Sequence, residues 1–228
     1  MNLERVVEEA RAALAAFATD GEVLIVDDGS TDGTGPLADE LATRFANVRA
    51  LHHPENRGFT GAMSTCFREA RGEWVFLAPA DGQMELDELG RFLAEAPHAD
   101  VVIGVRARRA DGVTRTILSR AFHRIARTLF DLPMREFSSV FLFRRSVLDG
   151  MPFRSRPRSA TLLPEILFRA RRSQCAIAEL VVQQHPRRGG RAKGGQLSVA
   201  LLTLVELIRL AWLVRFEERP TAAVLPRA

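Results

Sequence analysis

Residues 23–34 read VLIVDDGSTDGT, a run of four aliphatic residues followed by two aspartates and a turn rich in glycine and hydroxyl side chains. A short, wholly apolar and mostly β-branched run predicts a strand that is covered on both faces, as in a parallel sheet. The residues after it are typical of a turn that leads into a helix N-cap. Taken alone, the stretch fits an ordinary strand, turn and helix junction as well as a binding loop.

The polar half of this stretch also comes near the spacing of an EF-hand calcium loop. The matching positions would be Asp28, Ser30, Asp32, Gly33 and Asp39. An EF-hand loop follows a helix, whereas a β-branched run precedes this one, and Pro36 interrupts the segment that would bind the ion. A calcium loop is therefore disfavoured.

Helices and strands are predicted to alternate along most of the chain. The predicted helices cover residues 3–17, 36–45, 56–70, 86–96, 115–130, 160–172 and 199–216. The predicted strands cover residues 23–26, 48–51, 73–77, 100–105, 138–143 and 176–182. This alternation indicates an α/β fold with right-handed β-α-β units and a mostly parallel sheet flanked by helices.

The composition is that of a globular protein. Anionic partners are expected to bind only where arginines cluster. The chain has 228 residues, 46% of them hydrophobic, which is enough for one substantial core. All but one of the 32 basic residues are arginines, and 28 acids leave a net charge of +4. Cys66 and Cys175 have no disulfide or metal-ligand spacing, and the acidic start does not resemble a signal peptide, so a cytoplasmic location is expected. The five histidines also lack ligand spacing and are expected mostly on the surface or in loops.

Polar side chains follow three of the predicted strands. Asp27 and Asp28 follow the first, Asp81 and Gln83 follow the strand at 73–77, and Arg106 follows the strand at 100–105. In open α/β sheets ligands bind beyond the carboxyl ends of the strands, so these groups are predicted to meet in one cleft. Asp81 has a structural alternative, since it could cap the helix that starts nearby.

Six blocks of the sequence carry a resemblance to a known family. They are VLIVDDGSTDGT (23–34), HPENRGFTGAMSTCFREARGEWVFLAPADGQ (53–83), VIGVR (102–106), FLFRRSVL (141–148), PEILFRA (164–170) and HPRRGGRAKGG (185–195). In this order they resemble the inverting GT-A glycosyltransferases of family 2, and within that family the polyprenyl-phosphate sugar transferases similar to dolichyl-phosphate mannose synthase. The resemblance runs from Asn2 to about Gly195.

The resemblance implies a role for several side chains. The nucleotide-sugar would be bound by Asp27, Asp28, Ser30, Asn56, Gly58 and Asp81. Asp81 and Gln83 would hold Mg²⁺ or Mn²⁺, although Pro79 stands where the family has a further carboxylate. Phosphate groups would be bound by Arg106, Arg187 and Lys193. The catalytic residues would be Asp81 and Glu165, the latter orienting the acceptor or acting as a base, unless it only pairs with Arg169 at helical spacing.

The resemblance also implies partners and domain boundaries. Residues 1–195 would form the GT-A domain, which lacks the strand with which the family pattern begins, and residues 196–228 an amphipathic helix and tail. With Glu206 and Arg209 opposite a broad apolar face, that helix could lie on the inner face of a membrane, on its own domain, or on a second subunit of a homodimer. The basic loop at 185–195 has no interleaved aromatic residues, which disfavours nucleic acid.

The expected activity is the metal-dependent, inverting transfer of a sugar from a nucleotide-sugar to a polyprenyl phosphate or similar acceptor. The alternative is a module of the same fold that binds a nucleotide-sugar without turnover, or that regulates another protein. The absent first strand and Pro79 motivate this alternative.

Overall fold

The computed structural model of the chain describes residues 2–106, 113–134, 140–183 and 197–216. Within these ranges the helices are α1 (Asn2–Phe17), α2 (Thr34–Arg44), α3 (Gly58–Glu69), α4 (Leu89–Glu95), α5 (Val113–Phe130), α6 (Arg145–Leu148), α7 (Leu162–Arg172) and α8 (Leu197–Phe216). The strands are β1 (Val23–Asp27), β2 (Val48–His52), β3 (Trp74–Leu77), β4 (Val101–Arg106), β5 (Val140–Arg144) and β6 (Ile177–Val182). A single 3-10 turn, Leu86–Glu88, leads into α4.

Every element predicted from the hydrophobic pattern is present. The ends agree to within two residues, except that the helix predicted from residue 86 starts as the 3-10 turn and α4 begins at Leu89; residues 138 and 139 of the strand predicted at 138–143 lie outside the described residues. The short helix α6 was not predicted. It consists of four residues, and one turn is too short to show a helical repeat in the sequence.

The strands form two hydrogen-bonded sheets. β1 and β2 pair in parallel, and the second sheet has the order β3-β5-β4-β6. β5 runs antiparallel to both of its neighbours, whereas β4 and β6 are parallel. The prediction of an α/β fold with helices around a largely parallel sheet is therefore confirmed, and β5 is the strand that runs against the others of its sheet.

The two sheets are covered by the same helices. On α1, Val7 belongs to the apolar cluster of Ile25 and Val48, and Ala13 to the cluster of Leu86 and Leu89. α3 contacts β1 and also packs Met63 and Phe67 into the core that contains Val75 of β3. Among the described residues β1 and β3 are not paired with each other. The sheet is therefore interrupted between these two strands.

The helix α8 packs against its own domain, which is one of the three alternatives left open for it, and the packed face carries Glu206. Leu207, Leu210, Ala211 and Val214 are part of the largest core cluster, and Glu206 is also buried. Arg209 and the N–H of Arg156 pair with the carboxylate of Glu206 inside the domain.

The outer face of α8 is apolar instead. Its exposed large side chains, which we call the α8 stripe, are Leu202, Val205, Ile208, Trp212 and Phe216. No helix in the described part of the chain has the length and apolar character needed to cross a bilayer.

Candidate functional site

Asp27, the last residue of β1, closes the turn that follows the strand. Its Oδ1 accepts a hydrogen bond from the N–H of Ser30 (3.1 Å), and its Oδ2 lies 3.1 Å from Nδ1 of His52. Burial raises the pKa of Asp27, but the hydrogen bonds from Ser30 and His52 outweigh it, so the pKa lies below its ordinary value. The carboxylate is therefore charged, buried and fixed, while Ser30 is exposed at the tip of the turn.

Asp28 joins this turn to the start of α3. Its Oδ1 accepts a hydrogen bond from the N–H of Arg57 (2.9 Å) and its Oδ2 one from the N–H of Gly58 (2.8 Å). A carboxylate at the first N–H groups of a helix is favoured by the helix dipole and replaces a local cap. Burial raises the pKa of Asp28, and these bonds together with one from His53 lower it below the usual value.

The backbone around Asp28 is closely packed, and glycine is required at two points. A Cβ at Gly29 would lie 2.8 Å from the backbone N of Asn56, and one at Gly58 would lie 3.0 Å from Cα of Arg158. Gly58 also has a φ of +81°. The side-chain amide of Asn56 donates to the carbonyl of Asp28 (3.0 Å). The structure thus brings together five of the residues predicted to bind the nucleotide-sugar, namely Asp27, Asp28, Ser30, Asn56 and Gly58.

Two histidines belong to this cluster and were not predicted to do so. His52 is the last residue of β2, and His53 follows it. His53 lies in the loop after β2, is buried, and lies 2.7 Å from Oδ1 of Asp28. The rule that singled out Asp27 could have found both residues, because β2 is parallel to β1 and ends beside it.

The loop after β3 lies at the same end of α1 as the loop after β1. Gly21 lies against Leu14, so β1 starts near the C-terminal end of α1 and runs back toward its first turn. Gly82 lies against the guanidinium of Arg5, which is in that first turn. Arg5 also pairs with Glu9, and its Nη2 is buried without a hydrogen-bond partner among the described residues. The sequence had not singled out this positive charge beside Gly82.

Asp81 and Gln83 supply one carboxylate oxygen and one amide oxygen on this loop. The N–H of Gln83 donates to Oδ1 of Asp81 (3.2 Å), Asp81 is half-buried, and Gln83 is buried. In the part of the chain that the structure describes, no three His, Cys, Asp or Glu residues are grouped to hold a metal ion. The donors present therefore fit a hard cation such as Mg²⁺ or Mn²⁺ that takes its remaining ligands from water and from phosphate.

Arg106 lies at the same edge of the second sheet as the loop after β3. Leu77 and Ile103 are both in register with Phe141 of β5, so β3 and β4 run in the same direction. β4 extends three residues beyond that level and ends at the half-buried Arg106. In the sheet, β5 lies between the strand that ends at Arg106 and the strand that leads into the Asp81 loop.

Glu165 lies in the interior, where its surroundings favour the structural alternative. Its side chain is fully buried and accepts hydrogen bonds from the N–H groups of Arg154 and Ser155 (both 2.8 Å) and from the hydroxyl of Ser155 (2.7 Å). Arg169, also buried, donates from Nε (3.1 Å) and Nη2 (3.0 Å) to the same carboxylate. The carboxylate thus holds the 154–155 loop against α7. The other two predicted phosphate ligands, Arg187 and Lys193, lie outside the described residues.

The structure resembles solved GT-A glycosyltransferases over nearly its whole length. Glucosyl-3-phosphoglycerate synthase from Mycobacterium tuberculosis, solved with Mn²⁺, UDP-glucose and phosphoglyceric acid, superimposes with a TM-score of 0.64 over 93% of this chain and 77% of that one, at 15% identity. A mannosyltransferase from Pyrobaculum calidifontis, solved with GDP-mannose and Mn²⁺, gives a TM-score of 0.58 over 95% of this chain and 62% of that one, at 18% identity. The fold is therefore GT-A.

Two of the curated relatives are named as polyprenyl-phosphate sugar transferases. A dolichyl-phosphate beta-glucosyltransferase from Trichomonas vaginalis is 26% identical over 83% of this chain and 61% of its own length. An undecaprenyl-phosphate 4-deoxy-4-formamido-L-arabinose transferase from Pseudomonas fluorescens is 29% identical over 66% of this chain and 45% of its own length. The chain thus spans about half to three fifths of these relatives. The model of the glycosyl transferase family 2 matches residues 2–151, and this chain belongs to that family.

Proposed function

We propose that the chain transfers a sugar from a nucleotide diphosphate donor to a polyprenyl phosphate, with inversion at the sugar carbon. The observation that carries the proposal is the position of two loops at one end of α1. One contains the fixed carboxylates of Asp27 and Asp28, and the other the oxygen donors of Asp81 and Gln83. Family membership and the named relatives support the reaction class.

The first loop is suited to the nucleoside part of the donor. Asp28 and Asn56 are held on either side of Gly29 by bonds within the cluster, so the site is formed before the ligand arrives. The exposed hydroxyl of Ser30 and the partly exposed carboxylate of Asp28 offer hydrogen-bond partners to a base and a ribose.

The second loop is suited to the diphosphate. Asp81 and Gln83 would hold Mg²⁺ or Mn²⁺, which supplies charge neutralisation for the diphosphate as it leaves. Arg106 at the end of β4, together with Arg187 and Lys193, would bind phosphate oxygens, for which guanidinium geometry is well suited. The acceptor phosphate is anionic at neutral pH, so it can attack the sugar carbon without a strong general base. Glu165 is given no part in this step.

A transfer assay tests the proposal. Purified protein is incubated with Mn²⁺, undecaprenyl phosphate in detergent, and radiolabelled UDP-glucose or GDP-mannose, and lipid-linked label is counted. We expect labelled lipid that disappears with chelator and with Asp81→Asn. Binding of the nucleotide-sugar without labelled lipid from any donor would favour the non-catalytic module, which the interrupted sheet and Pro79 also favour. If no nucleotide binds, both functions fail.

We further propose that the α8 stripe contacts the membrane in which such an acceptor resides. Trp212 and Phe216 are 65% and 71% exposed, and their rings touch at the C-terminal end of the helix. An aromatic pair at the end of an apolar stripe is typical of helices that lie in a bilayer interface.

Arginines lie near the same end of α8. Arg215 is exposed and donates to the carbonyl of Leu129 at the end of α5 (3.3 Å). Arg124, Arg127 and Arg171 line a surface depression at the end of α5, together with Asp131, which pairs with Arg171. A surface with an apolar stripe and nearby positive charge fits a bilayer that contains anionic lipid.

Sedimentation with vesicles tests this contact. We expect the protein to sediment with phosphatidylcholine vesicles that contain phosphatidylglycerol, and expect the Trp212→Ala, Phe216→Ala double variant to lose at least roughly tenfold in partitioning because exposed aromatic area is removed. Val181→Ala, at an exposed apolar residue of β6, is the control. Equal sedimentation of all three proteins would refute the contact.

A further inference from the structure

The two adjacent histidines after β2 each contact one of the two adjacent aspartates after β1. β1 and β2 are parallel and in register from Val23 with Val48 to Asp27 with His52, so the two strands end side by side. His52 reaches Asp27 and His53 reaches Asp28. The proposed nucleotide carboxylates are therefore held by a second pair of ionisable groups from the neighbouring strand.

His52 bridges two carboxylates. Its Nδ1 lies 3.1 Å from Oδ2 of Asp27, and its Nε2 lies 2.9 Å from Oδ1 of Asp39 in α2. A carboxylate only accepts hydrogen bonds, so both ring nitrogens donate only when the ring is a protonated imidazolium. The hydrogen bonds to Asp27 and Asp39 raise the pKa of His52 above its usual value. Among the residues that the structure describes, these two acids are the charged groups in contact with the ring, and Asp32 lies near Asp27.

His53 makes a bridge of a different kind. Its Nδ1 lies 2.7 Å from Oδ1 of Asp28, and its Nε2 lies 2.8 Å from the hydroxyl of Thr65 in α3. The hydroxyl of Thr65 can accept from Nε2 or donate to it, and it also lies 3.3 Å from the carbonyl of Gly61. The contacts of His53 therefore do not define how many protons its ring carries, whereas the bridge through His52 requires two.

We propose that His52 is a positioning residue whose protonated ring holds Asp27, and with it the 27–30 turn, in the conformation that binds the nucleotide-sugar. Loss of one proton leaves a ring nitrogen lone pair facing a carboxylate; we infer that the remaining proton stays in the shorter contact, to Asp39, so that the bond to Asp27 is broken. Asp27 also accepts the N–H of Ser30, so its release changes the turn that presents Asp28 and Ser30. The inference rests on the proposed function and adds a proton dependence to its donor site.

Two substitutions at position 52 separate the two bonds. The amide nitrogen of asparagine stands near the place of Nδ1 and that of glutamine near the place of Nε2, so His52→Asn keeps a donor for Asp27 and His52→Gln keeps one for Asp39. Neither side chain titrates near neutral pH. His98→Asn, at an exposed histidine far along the chain, is the matched control.

The experiment is a calorimetric titration of each protein with UDP-glucose and with GDP-mannose in Mn²⁺ between about pH 6 and pH 9, a span that brackets ordinary and raised histidine values. For wild type and His98→Asn we expect the affinity for the nucleotide-sugar to fall roughly tenfold as the pH rises through the raised pKa of His52. A tenfold change is about the contribution of one charge-assisted hydrogen bond. The affinity of His52→Asn should not change with pH in this way, so its plot of affinity against pH should have no inflection. His52→Gln should bind weakly over the whole pH range. Ring nitrogen chemical shifts of the ligand-free protein should show both nitrogens of His52 protonated at the acid end.

The outcomes separate this inference from the proposed function. If wild type binds a nucleotide-sugar and His52→Asn keeps the same inflection, the positioning role is refuted while the function stands. A ring of His52 that is neutral throughout the range also refutes it. If wild type binds neither nucleotide-sugar at any pH, the proposed function and this inference fail together.

Discussion

Replacing Glu165 by glutamine should destabilise the fold rather than remove a reacting group. The carboxylate is fully buried, accepts five hydrogen bonds, and neutralises Arg169, whose side chain is 3% exposed. Glutamine has nearly the same size, but it carries no charge and turns an NH₂ donor toward groups that are themselves donors. Removing one partner of a buried ion pair costs about 3–5 kcal/mol, because the other charge is left without compensation.

The loss should be visible in unfolding experiments. For a chain of this size, 3 kcal/mol corresponds to a decrease in Tm of roughly 6–12 °C. We expect Glu165→Gln to lower the urea midpoint and the Tm accordingly, with an unchanged slope of unfolding free energy against urea. Circular dichroism during urea and thermal unfolding measures both.

A second pair of variants controls for the ion pair itself. Arg169→Met alone should also be destabilising, because it leaves a buried carboxylate without its cation. The double variant Glu165→Leu, Arg169→Met removes both charges and should be less destabilised than the sum of the single changes. If Glu165→Gln unfolds at the wild-type urea concentration while sugar transfer is lost, the structural role is refuted and a catalytic one is supported.

Three other changes have defined outcomes. Burial raises the pKa of Glu206, but the hydrogen bond from Arg209 outweighs burial, so the pKa in the folded protein lies below the usual 4.5. The charged carboxylate therefore stabilises the fold above pH 4.5, and this stabilisation is lost as the pH falls through the folded pKa. The urea midpoints of wild type and Glu206→Gln should differ at pH about 7 and converge in acid. Convergence at neutral pH instead would contradict the pairing. Burial raises the pKa of the Cys66 thiol to about 11. An aromatic disulfide reagent should therefore label Cys66 at pH about 8 only after the protein is unfolded in urea. Rapid labelling of Cys66 in the native protein would contradict the burial of this thiol. Gly58→Ala should lower the Tm more than Gly150→Ala. Both glycines have a positive φ, but only at Gly58 would a Cβ lie within 3.0 Å of another backbone segment. Equal decreases in Tm would show that the backbone at Gly58 moves to accommodate the Cβ.

The elements and the first loop could be predicted because their causes are local. A strand such as VLIV and the aspartates that follow it are adjacent in sequence, and the direction of parallel strands decides which ends meet. The pairing of Glu165 with Arg169 was also open to prediction, since a spacing of four residues places both on one face of a helix.

Other features depend on contacts between distant segments. The inward position of Glu206 on α8 is set by the N–H of Arg156, which is 50 residues away in the chain. The strand pattern at 138–143 gives no sign that β5 inserts between β3 and β4 and runs against both. Likewise, His53 has no helical or metal spacing, and its role follows only from the register of β1 with β2 and from Thr65 in α3.

The proposed function requires that the loop after β3 binds a divalent cation together with the diphosphate of a nucleotide-sugar. Binding of Mn²⁺ to the wild-type protein and to Asp81→Asn, followed by electron paramagnetic resonance with and without UDP, tests this requirement. We expect tight binding that depends on UDP in wild type and at least roughly tenfold weaker binding in the variant, since one of two protein ligands loses its charge. Equal binding of Mn²⁺ by the two proteins, or binding by wild type that is indifferent to UDP, would contradict it.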